Sequence, residues 1–332
     1  LYRYGAKLPS KRTLADRFNV SVITIEHSYQ LLSEEGYIQP RQRSGYFCIY
    51  RNDLSFPVGV GGNESRPHAV FEDYGQFPVS TYIKTIRKVL TDYDDAILTR
   101  SPNFGTVELK SAVSDYLERS RGIKASAGQI IIGSGAEYLY GLIIQTLGKD
   151  AVYGIEDPSY EKIEQVYKAW NADYEMLKLG EKGIGSETLA GTGARILHIT
   201  PYRSYPTGAT ADISKKYEYL NWAQTDDRIL IEDDFESEFS MSVRPVDTLY
   251  SLSSSDNVIY INTFSKTISA SIRIGYMVIP ESMIKLFQEK VGFYSCTVPS
   301  LDQYILAEFM NSGAFERYLN RVRRERRKSL KQ

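Results

Sequence analysis

The segment Tyr260-Ile261-Asn262-Thr263-Phe264-Ser265-Lys266-Thr267, followed by Ser271-Ile272-Arg273-Ile274-Gly275, sets a lysine among hydroxyls with an arginine seven residues further on. A lysine amine attacks an aldehyde and forms a Schiff base once burial or a neighbouring cation has removed its proton. Arg273, with the Thr263 and Ser265 hydroxyls, offers charge-assisted hydrogen bonds to a phosphate. The set suits a phosphorylated aldehyde, although the same residues on a solvated turn would do no chemistry. Ile231-Glu232-Asp233-Asp234-Phe235-Glu236-Ser237-Glu238 ends an apolar run in carboxylates. One of these can keep a pyridine nitrogen protonated and so strengthen the ring as an electron sink, but acids in a row are otherwise a plain surface turn. Ser134-Gly135-Ala136 opens a helical pattern, where backbone N–H groups and the helix dipole favour phosphate. Glu156-Asp157-Pro158-Ser159-Tyr160 presents a ring that can lie on a flat cofactor or simply pack.

Each of these segments follows a short apolar run. Ile130-Ile131-Ile132, Ala151-Val152-Tyr153, Arg195 to Ile199, Arg228 to Ile231 and Val258 to Ile261 read as buried strands, and Leu109 to Leu117 as a helix between them. Alternation of this kind predicts an α/β architecture with a mostly parallel sheet, whose functional groups gather just past the strand ends.

The first fifty residues have a different pattern. Ser10 is a good N-cap for a helix through Phe18, Ser21 can cap a second one ending near Gly36, and Tyr37 to Ile49 reads as strand, turn and strand. Two helices joined by a tight turn and followed by a hairpin make a small winged helix. From Arg51 to Gly75 the chain is rich in glycine without periodicity, which predicts a linker. The expected domains are therefore 1–50, a linker at 51–75, and 76–332. In the 332-residue chain, 40 basic residues balance 41 acidic ones, 42% of residues are hydrophobic, and there are 2 Cys and 3 His. These figures exclude a disordered or polycationic chain, a disulfide scaffold and a four-cysteine zinc site, and no metal is expected. No apolar run reaches the roughly 20 residues of a membrane span and no targeting segment opens the chain, so a cytoplasmic protein is expected. Both ends read as cut: the chain opens without Met at the motif that follows a first helix, and closes inside a basic helical run.

Leu8-Pro9-Ser10-Lys11-Arg12-Thr13-Leu14-Ala15, Glu34-Glu35-Gly36-Tyr37-Ile38 and Gly45-Tyr46-Phe47 resemble, in order, the GntR-type winged helix without its first helix. The resemblance implies that Ser10, Lys11 and Arg12 meet the DNA backbone, that Ser21 to Thr24 enters the major groove, and that Arg41 and Arg43 sit on the wing. Val22 stands where the family usually has an arginine, which removes one base contact. The rest of the chain, including Ser300-Leu301-Asp302-Gln303 and Gly313 to Leu319, resembles fold-type I aminotransferases. Joined to the winged helix, it resembles the MocR/GabR-type regulators. This implies pyridoxal 5′-phosphate as cofactor, an internal aldimine on Lys266, and Asp233 at the pyridinium nitrogen. It also implies Tyr160 stacked on the ring, a phosphate cup of Ser134, Gly135, Ala136, Thr263, Ser265 and Arg273, and Lys162 on an effector carboxylate.

Two positions depart from the aminotransferase pattern. Tyr205 replaces the asparagine before Pro206-Thr207-Gly208, and Phe235 replaces a tyrosine, so both usual donors to the cofactor's phenolic oxygen are gone unless the Tyr205 hydroxyl substitutes. The arginine that clamps a substrate carboxylate in the family is not assigned here, and the run Arg321 to Lys328 is expected to be an exposed helix face. The resulting expectation is a homodimeric transcription regulator, head-to-tail, that binds operator DNA and senses an amino-acid-like effector or the cofactor itself, without efficient turnover. The alternatives are a true aminotransferase carrying a DNA-binding module and a catalytically dead scaffold.

Overall fold

Ser10 ends an extended segment and accepts a hydrogen bond from the Thr13 N–H through its Oγ, which starts helix α1 (Lys11–Phe18). Ser21 does the same for the Thr24 N–H at the start of α2 (Val22–Glu34). Asn19 closes α1 in the left-handed conformation that its short polar side chain tolerates. Strands β1 (Ile38–Arg41) and β2 (Gly45–Cys48) then pair antiparallel. Leu8, Ala15, Ile25, Tyr29, Ile38 and Cys48 form the small core. Tyr29 donates its hydroxyl to the Pro9 carbonyl at 2.8 Å and ties α2 back to the segment before α1. A computed structural model describes residues 5–34, 37–41, 44–49, 77–224, 227–235, 237–240, 246–269 and 271–329. The expected linker and Arg43 lie outside these residues. The chain divides into two compact units, residues 1–71 and 72–332.

The second unit begins with α3 (Val79–Asp92) and α4 (Val107–Arg121), then enters the sheet with β3 (Ile130–Gly133) and α5 (Ala136–Leu147). It continues through β4 (Tyr153–Asp157), α6 (Glu161–Ala169), β5 (Tyr174–Gly180), β6 (Gly183–Ile184), α7 (Ser186–Gly191) and β7 (Ile196–Ile199). Next come α8 (Ile213–Ala223), β8 (Ile229–Asp233), α9 (Leu249–Leu252), β9 (Val258–Thr263), α10 (Phe264–Thr267) and β10 (Gly275–Val278). Helices α11 (Ile284–Val291), α12 (Ser300–Asn311) and α13 (Ala314–Ser329) close the unit. The eight strands lie in the order β3-β10-β9-β8-β7-β4-β5-β6. β9, β8, β7, β4 and β5 are parallel neighbours, whereas β10 runs antiparallel between β3 and β9. All six residues of β9 are buried, as expected of a central strand covered on both faces. Leu139, Ile143, Ile155, Ile231 and Ile261 pack on one face of the sheet, and Leu197, Leu230 and Val258 belong to a separate core cluster. Among the described residues, no helix is long and apolar enough to cross a membrane.

The acidic run after β8 differs from a solvated turn. Glu232, Asp233, Asp234, Ser237 and Glu238 are all buried. Arg121, at the end of α4, lies 3.4 Å from Glu238 and 3.6 Å from Asp234. Tyr260 donates to Asp234 at 2.7 Å, Asn262 donates to Glu238 at 2.7 Å, and Glu232 accepts the backbone N–H groups of Leu249 and Tyr250. The basic helix α13 also departs from a wholly exposed face: Arg323 donates to the Glu238 carbonyl at 2.5 Å, and Arg326 lies over the Phe239 ring. A single buried guanidinium thus balances two acids on the turn that follows Asp233. Arg121→Met leaves those acids without a cation and is expected to cost about 3–5 kcal/mol, measured as a lower urea midpoint of unfolding at unchanged slope.

Candidate functional site

β3, β4, β7, β8 and β9 all point the same way, so the segments after them reach one edge of the sheet together. β10 starts at that edge, because Gly275 pairs with Gly133 on one side and Thr263 on the other. Arg273, two residues before β10, is thereby carried beside both Ser134-Gly135 and Ser265-Lys266. Gly275 is needed for this approach: a Cβ there would lie 3.2 Å from the Gly135 backbone. Gly135 itself has φ +103°, open to glycine, and a Cβ on it would lie 3.1 Å from the Arg273 guanidinium. It also sits at the N-cap of the twelve-residue α5, whose first N–H groups carry the positive end of the helix dipole. The Ser134 N–H donates to Thr297 Oγ1 at 3.0 Å. Ser265 donates to the Ile272 carbonyl at 3.0 Å, and buried Thr263 ends β9.

Lys266 lies in the one-turn α10, half-buried, and its amine has no hydrogen-bond or ion-pair partner among the described residues. Asp233 is 3% exposed at the end of β8. Its Oδ2 accepts the Tyr140 hydroxyl and lies 3.6 Å from His198 Nε2, whereas its Oδ1 is buried without a partner. His198 Nδ1 meets the Tyr167 hydroxyl at 3.1 Å. Burial, reinforced by Asp233, holds the Tyr140 phenol far above its ordinary pKa, so it is a permanent donor. Tyr160 is 41% exposed at the start of α6, and the Tyr205 ring stands edge-on to it, with centroids 6.2 Å apart.

Glu137 was not singled out by the sequence, yet it takes Arg273 at 3.0 Å on one oxygen and Lys162 at 3.0 Å on the other. Burial raises its pKa, but its own backbone N–H together with Lys162 and Arg273 outweighs that and holds the carboxyl below its ordinary range. Tyr140 and His198 were also missed, since each reads as one more residue of an apolar helix or strand. A signal existed only for Glu137, which lies in the helix turn that follows Ser134-Gly135. In the first unit, Lys11 is ion-paired with Glu26, and Arg41 stacks over Phe47 at 4.5 Å, while Arg12 is exposed and has no partner among the described residues. The Ser10 and Ser21 hydroxyls cap helices and also contact the Thr13 and Thr24 hydroxyls.

The edge therefore combines a lysine amine without a partner among the described residues, the Ser134-Gly135 turn beside the Arg273 guanidinium, an exposed ring, and a buried carboxylate oxygen with no hydrogen-bond partner among the described residues. Residues 1–48 match the model of bacterial regulatory proteins of the gntR family, and residues 73–332 match that of aminotransferase class I and II. The chain belongs to the MocR/GabR-type family. It is 31% identical to the uncharacterized HTH-type transcriptional regulator YdeL of Bacillus subtilis, over 98% of this chain and 73% of that protein. It is 26% identical to the probable rhizopine catabolism regulatory protein MocR of Rhizobium meliloti, over 96% and 70% respectively. In fold it is similar to a kynurenine aminotransferase of Pyrococcus horikoshii (TM-score 0.66, 23% identity, 75% of this chain and 64% of that one). As in this family generally, a gntR-type helix-turn-helix unit precedes an aminotransferase-type α/β domain.

Glu156, buried at the end of β4, accepts the Ser204 hydroxyl at 2.7 Å. Burial pushes its carboxyl up to about 8, with the Asp233 charge adding to the effect. The neutral acid is favoured in the fold, so its contribution to stability is complete below the ordinary carboxyl range and is lost as pH rises through about 8. Glu156→Gln is expected to flatten the fall in urea midpoint between about pH 5 and pH 8, a slope of at most about 1.4 kcal/mol per pH unit.

Proposed function

We propose that this MocR/GabR-type chain is a cytoplasmic transcription regulator that binds duplex DNA through its winged helix and pyridoxal 5′-phosphate at the sheet edge. The observation that carries the cofactor reading is the unpartnered, buried Oδ1 of Asp233 on the same sheet edge as the unpaired amine of Lys266. Gly135 supports it, because the room that a Cβ would fill against Arg273 is the room a phosphate oxygen takes. When bound, the cofactor supplies an aldehyde carbon that exchanges between amines and a ring that accepts electrons.

Lys266 offers the attaching amine, and Asp233 accepts the hydrogen bond of the ring N–H. Arg273, the Gly135 and Ala136 N–H groups and the Ser134, Thr263 and Ser265 hydroxyls hold the phosphate. Tyr160 covers the ring, and Tyr205 beside it supplies a hydroxyl toward the phenolic oxygen. With the cofactor bound, Arg273 would give up Glu137 for the phosphate, Glu137 and Lys162 would stay paired, and Lys162 would be the group to meet the carboxylate of an amino-acid-like effector. An effector that binds two dimer conformations unequally shifts their populations and so the spacing of two winged helices on DNA. A head-to-tail homodimer supplies the two modules. Lys266 and Asp233 equally suit a true aminotransferase; multiple turnovers with an amino donor and a keto acid would select that reading, and a stable spectral shift the regulator.

Titration of the protein with pyridoxal phosphate is expected to give a near-visible absorbance band that borohydride fixes onto the Lys266 peptide, and Lys266→Ala is expected to abolish both. No band with wild-type protein overturns the cofactor reading. For DNA, selection from a random duplex library followed by mobility shifts at several salt concentrations is expected to yield a bound site. Arg12→Ala should weaken binding to all sequences and lower the salt slope by about one. An unchanged slope removes Arg12 from the phosphate contacts.

A further inference from the structure

We propose that Tyr140 is a positioning residue that commits Asp233 to a ring-nitrogen donor, so that helix α5 governs both ends of the cofactor. The inference rests on the cofactor reading above and extends it to a residue outside the cup.

The two oxygens of Asp233 have different surroundings. Oδ2 is occupied by the Tyr140 hydroxyl, and Oδ1 is buried and bare. A donor that were itself cationic would have neutralised the carboxylate and left nothing for a ligand. A neutral phenol fixes the rotation of the group through Oδ2 while leaving Oδ1 open to a ligand's donor. The phenol cannot drift to other acceptors, because its ring is buried and edge-packed on His198, with centroids 4.7 Å apart. His198 is in turn held by the Tyr167 hydroxyl. Tyr140 lies about one helical turn beyond the Gly135-Ala136 end of α5, which faces the anion cup. One rigid helix therefore sets the phosphate contacts with its first turn and the nitrogen contact, through Asp233, with its second.

The test measures dissociation constants of the full chain for pyridoxal phosphate and for its analogue with C–H in place of the ring nitrogen, by absorbance and fluorescence titration. Wild-type protein is expected to bind the analogue more weakly than the cofactor. Tyr140→Phe is expected to weaken binding of the cofactor about tenfold or more and to leave binding of the analogue within about twofold. In an Asp233→Asn background, Tyr140→Phe is expected to cost nothing further. Equal loss for both ligands, no loss for either, or the same loss in the Asp233→Asn background overturns the inference while the cofactor reading stands. Equal affinity of the wild type for the two ligands also overturns it, whether or not the variant folds. If the wild type binds neither ligand, the cofactor reading falls and takes the inference with it.

Discussion

The antiparallel insertion of β10 between β3 and β9 is the constraint on which the site depends. In a wholly parallel sheet, the segment before a strand lies at the opposite edge from the segments that follow its neighbours. Because β10 runs backwards, the arginine that precedes it comes to the same edge as the glycine turn after β3 and the lysine after β9. The reversed strand leaves no room for side chains where it enters, which is why Gly275 faces the Gly135 backbone. The meeting of Arg273, the Ser134-Gly135 turn and the Lys266 segment is thus a consequence of one register.

A second constraint acts on the charges. The period of two along β8 sends Asp233 toward the face lined by Tyr140 and His198, and Asp234 toward Arg121 and Tyr260. On the Arg121 side the charges are compensated within the protein, by a guanidinium and several neutral donors. On the other side Asp233 Oδ1 has no partner among the described residues, as Glu238 Oε2 has none on the Arg121 side. The Arg121 cluster anchors α4, β9 and α13 to the turn. Burying a carboxylate such as Asp233 is costly, and the Tyr140 hydroxyl on its other oxygen offsets part of that cost.

The N-terminal unit follows a different logic. Its core is small, its two helices begin with serine caps, and its described cations include some that protein groups already engage and some that they do not. Lys11 is paired with Glu26 and Arg41 lies over the Phe47 ring, whereas Arg12 is exposed and has no partner among the described residues. Serines that cap helices still offer N–H-rich helix starts to phosphates, so DNA affinity need not come from side-chain charge alone.

The sequence by itself determined the class of fold, the winged helix with its Ser10 and Ser21 caps, and the segments from which the site is built, because caps and apolar periodicity act over a few residues. Lys266, Asp233 and Arg273 stood out through a family pattern that fixes residue types at strand ends. Only the tertiary structure showed which groups each acid of Glu232-Asp233-Asp234 meets, since a period of two is ambiguous until neighbouring strands fix the register. Only it brought Glu137 to Lys162 and Arg273, and Tyr140 and His198 to Asp233. Those contacts join residues 25 to 136 positions apart in the chain, and no local propensity records a partner at that distance.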